Sequence, residues 1–445
     1  MYLISTLVLL ILYTIIRGLK KVEYSILIFL LLFYISNNVA VWLICISCII
    51  LFYVFVLDIE TIVLFLTSIV GLFILIQTNN LIELYISLEA VGLTFYVLVV
   101  RDRRSVKSTE SGLKYFILGA LSSGLILFGV TLVYAQTGTL DLVLGFNTSG
   151  FELSWVILKM GLLFKLGAAP FHTWIPDIYE GSPIIVMIFL AIVPKIAYIS
   201  ILIRISLGST DVVLLISGLL SIFIGAIGAL NQNKIKRLIG YSAIGHTGYL
   251  LVGISTGLFI GFKSAIIYLI IYIVTGLNFL ILVNNLGVLK IIELRGLARR
   301  NGMMSFTLGL ILMSIGGLPP LAGFYSKYLI LCSLLSLGYI FLTIFAISCS
   351  VIGIYYYLNI LRWIYFEDNS EISIILNPIN FNTSIILGLN SYGIVTILFY
   401  PNVLEVFSLG LAIKENEIVR NNYTSIYLSC FCNLSRTKNS RFNSN

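Results

Sequence analysis

Apolar runs of bilayer length, divided by short polar breaks, recur along the chain. A crossing needs about 20 predominantly apolar residues, so a chain of this length has room for about 14. The breaks predict spans at about 2–16, 22–36, 40–57, 61–77, 81–100, 111–135 and 153–173, then at about 183–205, 211–231, 237–256, 259–286, 304–330, 334–362 and 383–411. The predicted fold is an all-α polytopic membrane protein with about 14 transmembrane helices. A Gly/Thr/Asn-rich connection covers about 136–151, and a polar tail at 414–445 lacks helical periodicity and reads as a solvated extension.

Two of these spans cannot be regular. Span 7 carries Gly167 and Pro170, and span 12 carries Gly316, Gly317, Pro319, Pro320 and Gly323. Proline removes a backbone donor and clashes with the preceding turn, so both helices are expected to break inside the membrane. The broken spans lie five apart, and an odd offset reverses direction through a bilayer. The expected organisation is therefore an inverted-topology repeat, spans 4–8 against spans 9–13. In residue numbers this means an N-terminal three-helix segment at 1–58, repeats at 59–206 and 207–366, a C-terminal helix at 367–413 and the tail at 414–445. Under this pairing Glu89 and His246 occupy comparable places.

Composition agrees with the pattern: 59% of residues are hydrophobic, 10% are charged and the mean hydropathy is +1.07. The net charge of +8 does not point to nucleic acid, because the basic residues sit in short loops. Arg17, Lys20 and Lys21, then Arg101, Arg103 and Arg104, then Lys234, Lys236 and Arg237, then Lys290, Arg295, Arg299 and Arg300, and finally Arg362 all follow odd-numbered spans. Loops after even-numbered spans are nearly uncharged. The alternation stays in phase along the chain and places the odd-span loops on the cytoplasm-equivalent side, with both termini opposite. The opening run has no basic region before it and no small-residue cleavage site, so it reads as a first span and not a removable signal. Of the six cysteines, Cys45 and Cys48 stand in C-x-x-C spacing within an apolar run and Cys332 and Cys349 stand alone in apolar helices. Cys430 and Cys432 lie in the tail. With no partner ligands nearby they read as small packing residues, and no redox cofactor or metal is expected in this chain.

The candidate chemistry is a set of ionisable groups inside apolar spans. Lys165, Lys195 and Lys327 lie there with Glu89, and a charge at that depth costs roughly 2.5–3.5 kcal/mol by insertion scales. A buried amine keeps its proton only while a counter-charge is near, so Glu89 paired with Lys165 would form a proton switch, with Lys195 and Lys327 able to take the proton in turn. The plainer alternative is a structural ion pair that fixes helix packing. His246, among Ser242, Thr247 and Tyr249, suits a proton relay or a hydrogen-bonded packing role equally. Lys263, nearer a span end, is either an exit station or a residue that snorkels to the interface. Lys159 and His172 are expected near span ends, and Asp177 and Glu180 in the turn before span 8.

Several stretches together resemble the antiporter-like membrane subunits of respiratory complex I, NADH:ubiquinone oxidoreductase, in the branch of its subunit 2. They are LEAVGLTFYVLVV, STESGLKYFILGALSSGLILFG, FKLGAAPFHTWIPDIYEGSP, VPKIAY, KRLIGYSAIGHTGY and GGLPPLAGFYSKY, in order between about residues 60 and 365. The resemblance implies 14 transmembrane helices with helices 7 and 12 broken, and proton translocation driven by quinone reduction elsewhere in a complex. It implies that Glu89, Lys165, Lys195 and Lys327 are the span 5, 7, 8 and 12 members of the pathway, to which the residues themselves add His246 and Lys263 as candidates. NADH, FMN, iron–sulfur clusters and ubiquinone would belong to other subunits, and the partners would be other membrane-arm subunits and phospholipids. SPIIVMIF departs from the Pro/Thr-rich start expected of span 8, and the tail beyond about 414 is longer than usual.

Abundant Ile, Leu, Phe, Tyr and Asn, as AT-rich organelle genes produce, favour the mitochondrial inner membrane. Two other functions compete. One is a subunit of a Na⁺/H⁺ antiporter complex, which would run a Glu–Lys core without redox coupling. The other is a structural member with a dead channel, whose sign would be loss of the buried ions; here all four are present.

Overall fold

The computed structural model describes residues 39–55, 58–142, 152–206, 210–367, 381–399, 401 and 405. Predicted spans 1 and 2 and the tail at 414–445 lie outside the described residues. Those that are described form helices α1 Val39–Val54, α2 Ile59–Gln77, α3 Leu81–Val99, α4 Val106–Thr137 and α5 Glu152–Leu166. They continue with α6 Trp174–Gly181, α7 Ile184–Ile205, α8 Val212–Leu230, α9 Ile235–Ser255 and α10 Phe259–Leu286. After a 3-10 turn at Ile291–Leu294 come α11 Leu297–Arg300, α12 Gly302–Gly316, α13 Ala322–Ser336, α14 Ile340–Tyr365 and α15 Phe381–Phe399. Seven of these helices are long and apolar enough to cross a membrane by length and composition. The protein is an all-helical, multi-pass membrane protein.

Burial sorts the spans. In α7 the apolar window is 89% buried and in α10 78%, against 28% in α14, so α7 and α10 are central and α14 lies at the rim. α7 packs against α1, α2, α5 and α10, and α10 against α9, α12, α13 and α15. At the end of α7, the Arg204 guanidinium donates to Ile76 O and Thr78 O, placing a cation on the carbonyl end of α2.

The predicted breaks have one geometry. After α5, Gly167 takes φ +71 and after α12, Gly317 takes φ +83, left-handed conformations that favour glycine. The next N–H reaches back six residues inclusive, Ala168 N to Leu163 O at 3.0 Å and Leu318 N to Met313 O at 3.1 Å. Each is a Schellman closure that uses up helix-end carbonyls. Ala169–Pro170 and Pro319–Pro320 follow, both cis.

A second likeness joins α3–α4 to α9–α10. Leu81 N donates to Leu140 O at 2.9 Å and Leu142 N to Asn79 O at 2.8 Å; Ile235 N donates to Leu289 O and Ile291 N to Asn233 O, both at 3.1 Å. Each pair ties the start of one helix to the chain just past the end of the next. Counting eight residues on from Leu81 and from Ile235 puts Ala243, not His246, level with Glu89. His246 stands one turn further along, level with Gly92.

Candidate functional site

Central α7 carries Lys195, a lysine only 5% exposed on a helix with Pro194 inside it. Its amine donates to Tyr272 Oη at 3.1 Å and to Ala243 O at 3.4 Å, and it lies 5.0 Å from the centre of the Tyr272 ring. The Tyr272 hydroxyl in turn donates a hydrogen bond to Ala191 O at 3.3 Å. Among the described residues no carboxylate pairs with this amine, which is held by a phenol, a carbonyl and a ring face.

On one side of Lys195 a small cavity is shared with Lys165 and walled by Trp174, Tyr179 and Tyr198. On the other side Tyr272 leads to His246, whose ring lies 5.3 Å from that of Tyr272. His246 Nδ1 is 2.6 Å from Tyr268 Oη. His246, Tyr268, Tyr272 and Lys327 line a second cavity, and His246 and Lys327 reach a third with Ser242, Tyr249 and Tyr357. The third, about 30 Å³, exceeds the roughly 10–15 Å³ that one water needs. The first two, each about 10 Å³, sit at that threshold.

Lys327 comes after its helix break and reaches back to it. Its amine donates to Gly316 O at 2.6 Å and Ile315 O at 3.4 Å, on the carbonyl end of α12, and lies 5.5 Å from the Tyr249 ring centre. Lys165 comes just before its break and meets α3 instead. A Cβ added to Gly92 would stand 3.4 Å from Lys165 Nζ. Glu89 stands on the same helix. The expected close ion pair is not formed: Glu89 Oε2 is buried without a hydrogen-bond partner. Glu89 thus lies one helical turn from the residue that Lys165 approaches.

Lys263 stands apart from this file. It pairs with Glu405 at 2.8 Å, and Tyr325 donates its hydroxyl to the same carboxylate. Lys159, expected near a span end, is buried and bonded to Asp211 at 2.5 Å, whose N–H donates to Ser255 O at 3.0 Å. His172 is partly exposed beside the first break, its Nδ1 3.2 Å from Pro170 O. Asp177 and Glu180 lie on α6, in the connection to α7. Burial would raise the Glu180 carboxyl, but Lys234, Arg237 and Lys107 outweigh it and hold it below the usual carboxylate range. Cys45, Cys48, Cys332 and Cys349 are free thiols.

The family described as NADH:quinone oxidoreductase/Mrp antiporter, TM matches residues 78–353 of this chain. The chain belongs to that family. Among its relatives, NADH-ubiquinone oxidoreductase chain 2 of Metridium senile is 40% identical over 363 residues, 77% of this chain and 94% of that protein. NADH-quinone oxidoreductase subunit N of Pelagibacter ubique is 43% identical over 330 residues, 70% of each chain. A chain of respiratory complex I from Thermus thermophilus superposes with a TM-score of 0.80 at 25% identity, over 91% of this chain and 98% of that one. A chain of the Mrp complex from Dietzia sp. superposes at 0.74 with 18% identity, over 84% and 82%, a likeness of fold alone.

In this member of the antiporter family, sequence reasoning missed Tyr268, Tyr272, Asp211 and Glu405. Tyr268 and Tyr272 are four residues apart on α10 and so share one face. That spacing in mid-span was a usable signal, since tyrosines at a membrane interface would sit near helix ends. Glu405 was legible as a carboxylate in the last predicted span. Nothing local marked Asp211, which reads as an ordinary helix-capping residue.

Proposed function

We propose that this chain is a proton-translocating membrane-arm subunit of an NADH:ubiquinone oxidoreductase in the mitochondrial inner membrane, and that Glu89, Lys165, Lys195, His246 and Lys327 form its proton pathway. The observation that carries the reading is the continuous file inside the bundle. Lys165 and Lys195 share one cavity, Lys195 bonds Tyr272, and Tyr272, His246 and Lys327 share the next. Hydroxyls, an imidazole and single waters in these cavities are the groups that would carry the proton from one to the next. The Glu89 carboxylate, close but not bonded, makes the charge on Lys165 conditional: protonating or displacing Glu89 removes the one ionic support of a desolvated amine. Lys195, across the cavity, takes the released proton once it has given up its own toward Tyr272.

In this reading the chain alone is not catalytic. It moves protons while NADH, FMN, iron–sulfur clusters and ubiquinone react in other subunits, and its partners are the other membrane-arm subunits and the surrounding phospholipids. The basic loops face the matrix and both termini the intermembrane space. The repeats at 59–206 and 207–366 draw support from the two Schellman-closed breaks and the two matched bridges between helix ends. Lys263 with Glu405 is the candidate exit station, at the end of the molecule reached from α13 through Tyr325.

Replacing Lys165 with Met in the assembled complex tests the pathway. Protons translocated per NADH oxidised, measured in sealed membrane vesicles, should fall steeply while the amount of complex on native gels stays near normal. Unchanged stoichiometry would remove Lys165 from the pathway and the proposal with it.

A further inference from the structure

Helix α6 is only eight residues long, yet it faces two environments. Trp174, Ile175 and Tyr179 wall the cavity of Lys165 and Lys195, and Trp174 Nε1 donates to Phe164 O at 3.1 Å, tying α6 back to α5. Its acidic residues meet bases from two other helices. Glu180 lies 2.5 Å from Lys234 and 3.6 Å from Arg237, both at the start of α9, and 3.7 Å from Lys107 on α4. Asp177 lies 3.4 Å from Arg237 and 3.2 Å from Lys114 on α4. Just past α6, Lys236 donates to Ser182 O at 2.8 Å.

The backbones leave no slack beneath these charges. A Cβ at Gly240 of α9 would stand 3.0 Å from Pro176 Cα, and one at Gly181 would stand 2.6 Å from Lys107 O. One exposed ion pair holds little. Two carboxylates shared among four bases, on helices already in backbone contact, fix a position.

We propose that this network is a latch that fastens α6 to α9 and so keeps Trp174 and Tyr179 in place around the two lysine amines. α9 also carries His246 and the Ala243 carbonyl that accepts from Lys195. The latch therefore ties the shape of the Lys165–Lys195 cavity to the helix that serves the far half of the file. Asp177, Glu180, Lys234 and Arg237 are positioning residues: they touch neither amine and act through α6. The inference rests on the proton pathway proposed above and adds what holds one of its cavities in register.

The test uses the complete complex in sealed vesicles and compares Glu180→Gln with Lys165→Met. Misplacement of reacting groups by about 1 Å can cost on the order of 10²-fold in rate, so Glu180→Gln should slow this chain's proton transfer and lower protons translocated per NADH measurably, with complex content near normal. Glu180→Asp, which keeps the charge, should recover most of that loss. Gly240→Ala probes the same contact without removing a charge and should lower the ratio as well. Full pumping in Gly240→Ala overturns the latch even where Glu180→Gln fails to assemble. Full pumping in Glu180→Gln with pumping lost in Lys165→Met overturns the latch alone. Full pumping in both overturns the pathway and the latch together.

Discussion

The two broken helices differ where their backbones agree. Both close on a left-handed glycine, Gly167 and Gly317, with the same returning hydrogen bond and a following cis-proline. Their lysines answer to different partners. Lys327, beyond its break, sits on the carbonyls of Gly316 and Ile315. Lys165, before its break, turns to α3, the helix that carries Glu89. A helix end is a fixed dipole that cannot change its charge, whereas a carboxylate can be protonated. Lys165 therefore neighbours a group that can itself gain or lose a proton and Lys327 one that cannot, although one turn design serves both.

The largest effect expected from that contrast is at Glu89. Glu89→Gln keeps the shape and removes the conditional charge, so it should cut protons per NADH as severely as Lys165→Met. No single side chain plays that part for Lys327. A Glu89→Gln complex that pumps normally in a vesicle assay would erase the distinction between the halves.

Next comes the junction between them. Tyr272→Phe leaves Lys195 and Ala191 without the hydroxyl that joins them. Losing a hydrogen bond to a charged group costs about 1.5–3 kcal/mol, and the rate of pumping under a fixed NADH supply should slow by roughly 10-fold or more, at 1.4 kcal/mol per decade. A rate equal to wild type would show that protons bypass Tyr272.

Alanine at each break compares the turns themselves. An L-residue in the left-handed region costs roughly 1–2 kcal/mol, so Gly167→Ala and Gly317→Ala should both lower the thermal midpoint of the complex. The new Cβ at 167 would overlap Ile175 Cδ1, in a buried side chain, and at 317 it would stand 2.9 Å from Lys327 Nζ, the end of a flexible one. Gly167→Ala should therefore lower the midpoint further, through the wall of the Lys165–Lys195 cavity, while Gly317→Ala displaces an amine directly. A midpoint that falls further in Gly317→Ala would contradict this difference between the two turns.

The smallest effect is expected at Glu405→Gln. Its pair with Lys263 is partly solvated, with side chains 21% and 34% exposed, and such pairs are worth at most about 1 kcal/mol. Complex stability should barely change, while proton release should slow if Lys263 is the exit station. A larger drop in thermal midpoint than at Gly317→Ala would make the pair structural.

Much of this was legible in advance. The apolar runs located α2, α3 and α7 to α10 within a residue or two, because a helix in lipid must be long and apolar whatever surrounds it. α4 began well before its predicted start, at Val106, since a basic, polar first turn does not look like membrane, and α13 ran on to Ser336, so α14 began at Ile340 and not at about 334. The breaks were visible because glycine and proline act locally. The presence of Glu89, Lys165, Lys195, His246 and Lys327 in apolar surroundings was equally plain.

What the residues left open was the partner of each charge. Spans apolar on every side carry no stripe that sets their rotation, so nothing in the pattern turned Lys195 toward Tyr272, 77 residues away, or Lys263 toward Glu405, 142 away. The same indeterminacy let Glu89 and Lys165 be expected in contact when packing holds them apart. Order along the chain, depth and helix breaks follow from local chemistry and the bilayer; which amine faces a carboxylate, a phenol or a carbonyl end is decided by how the helices turn against one another.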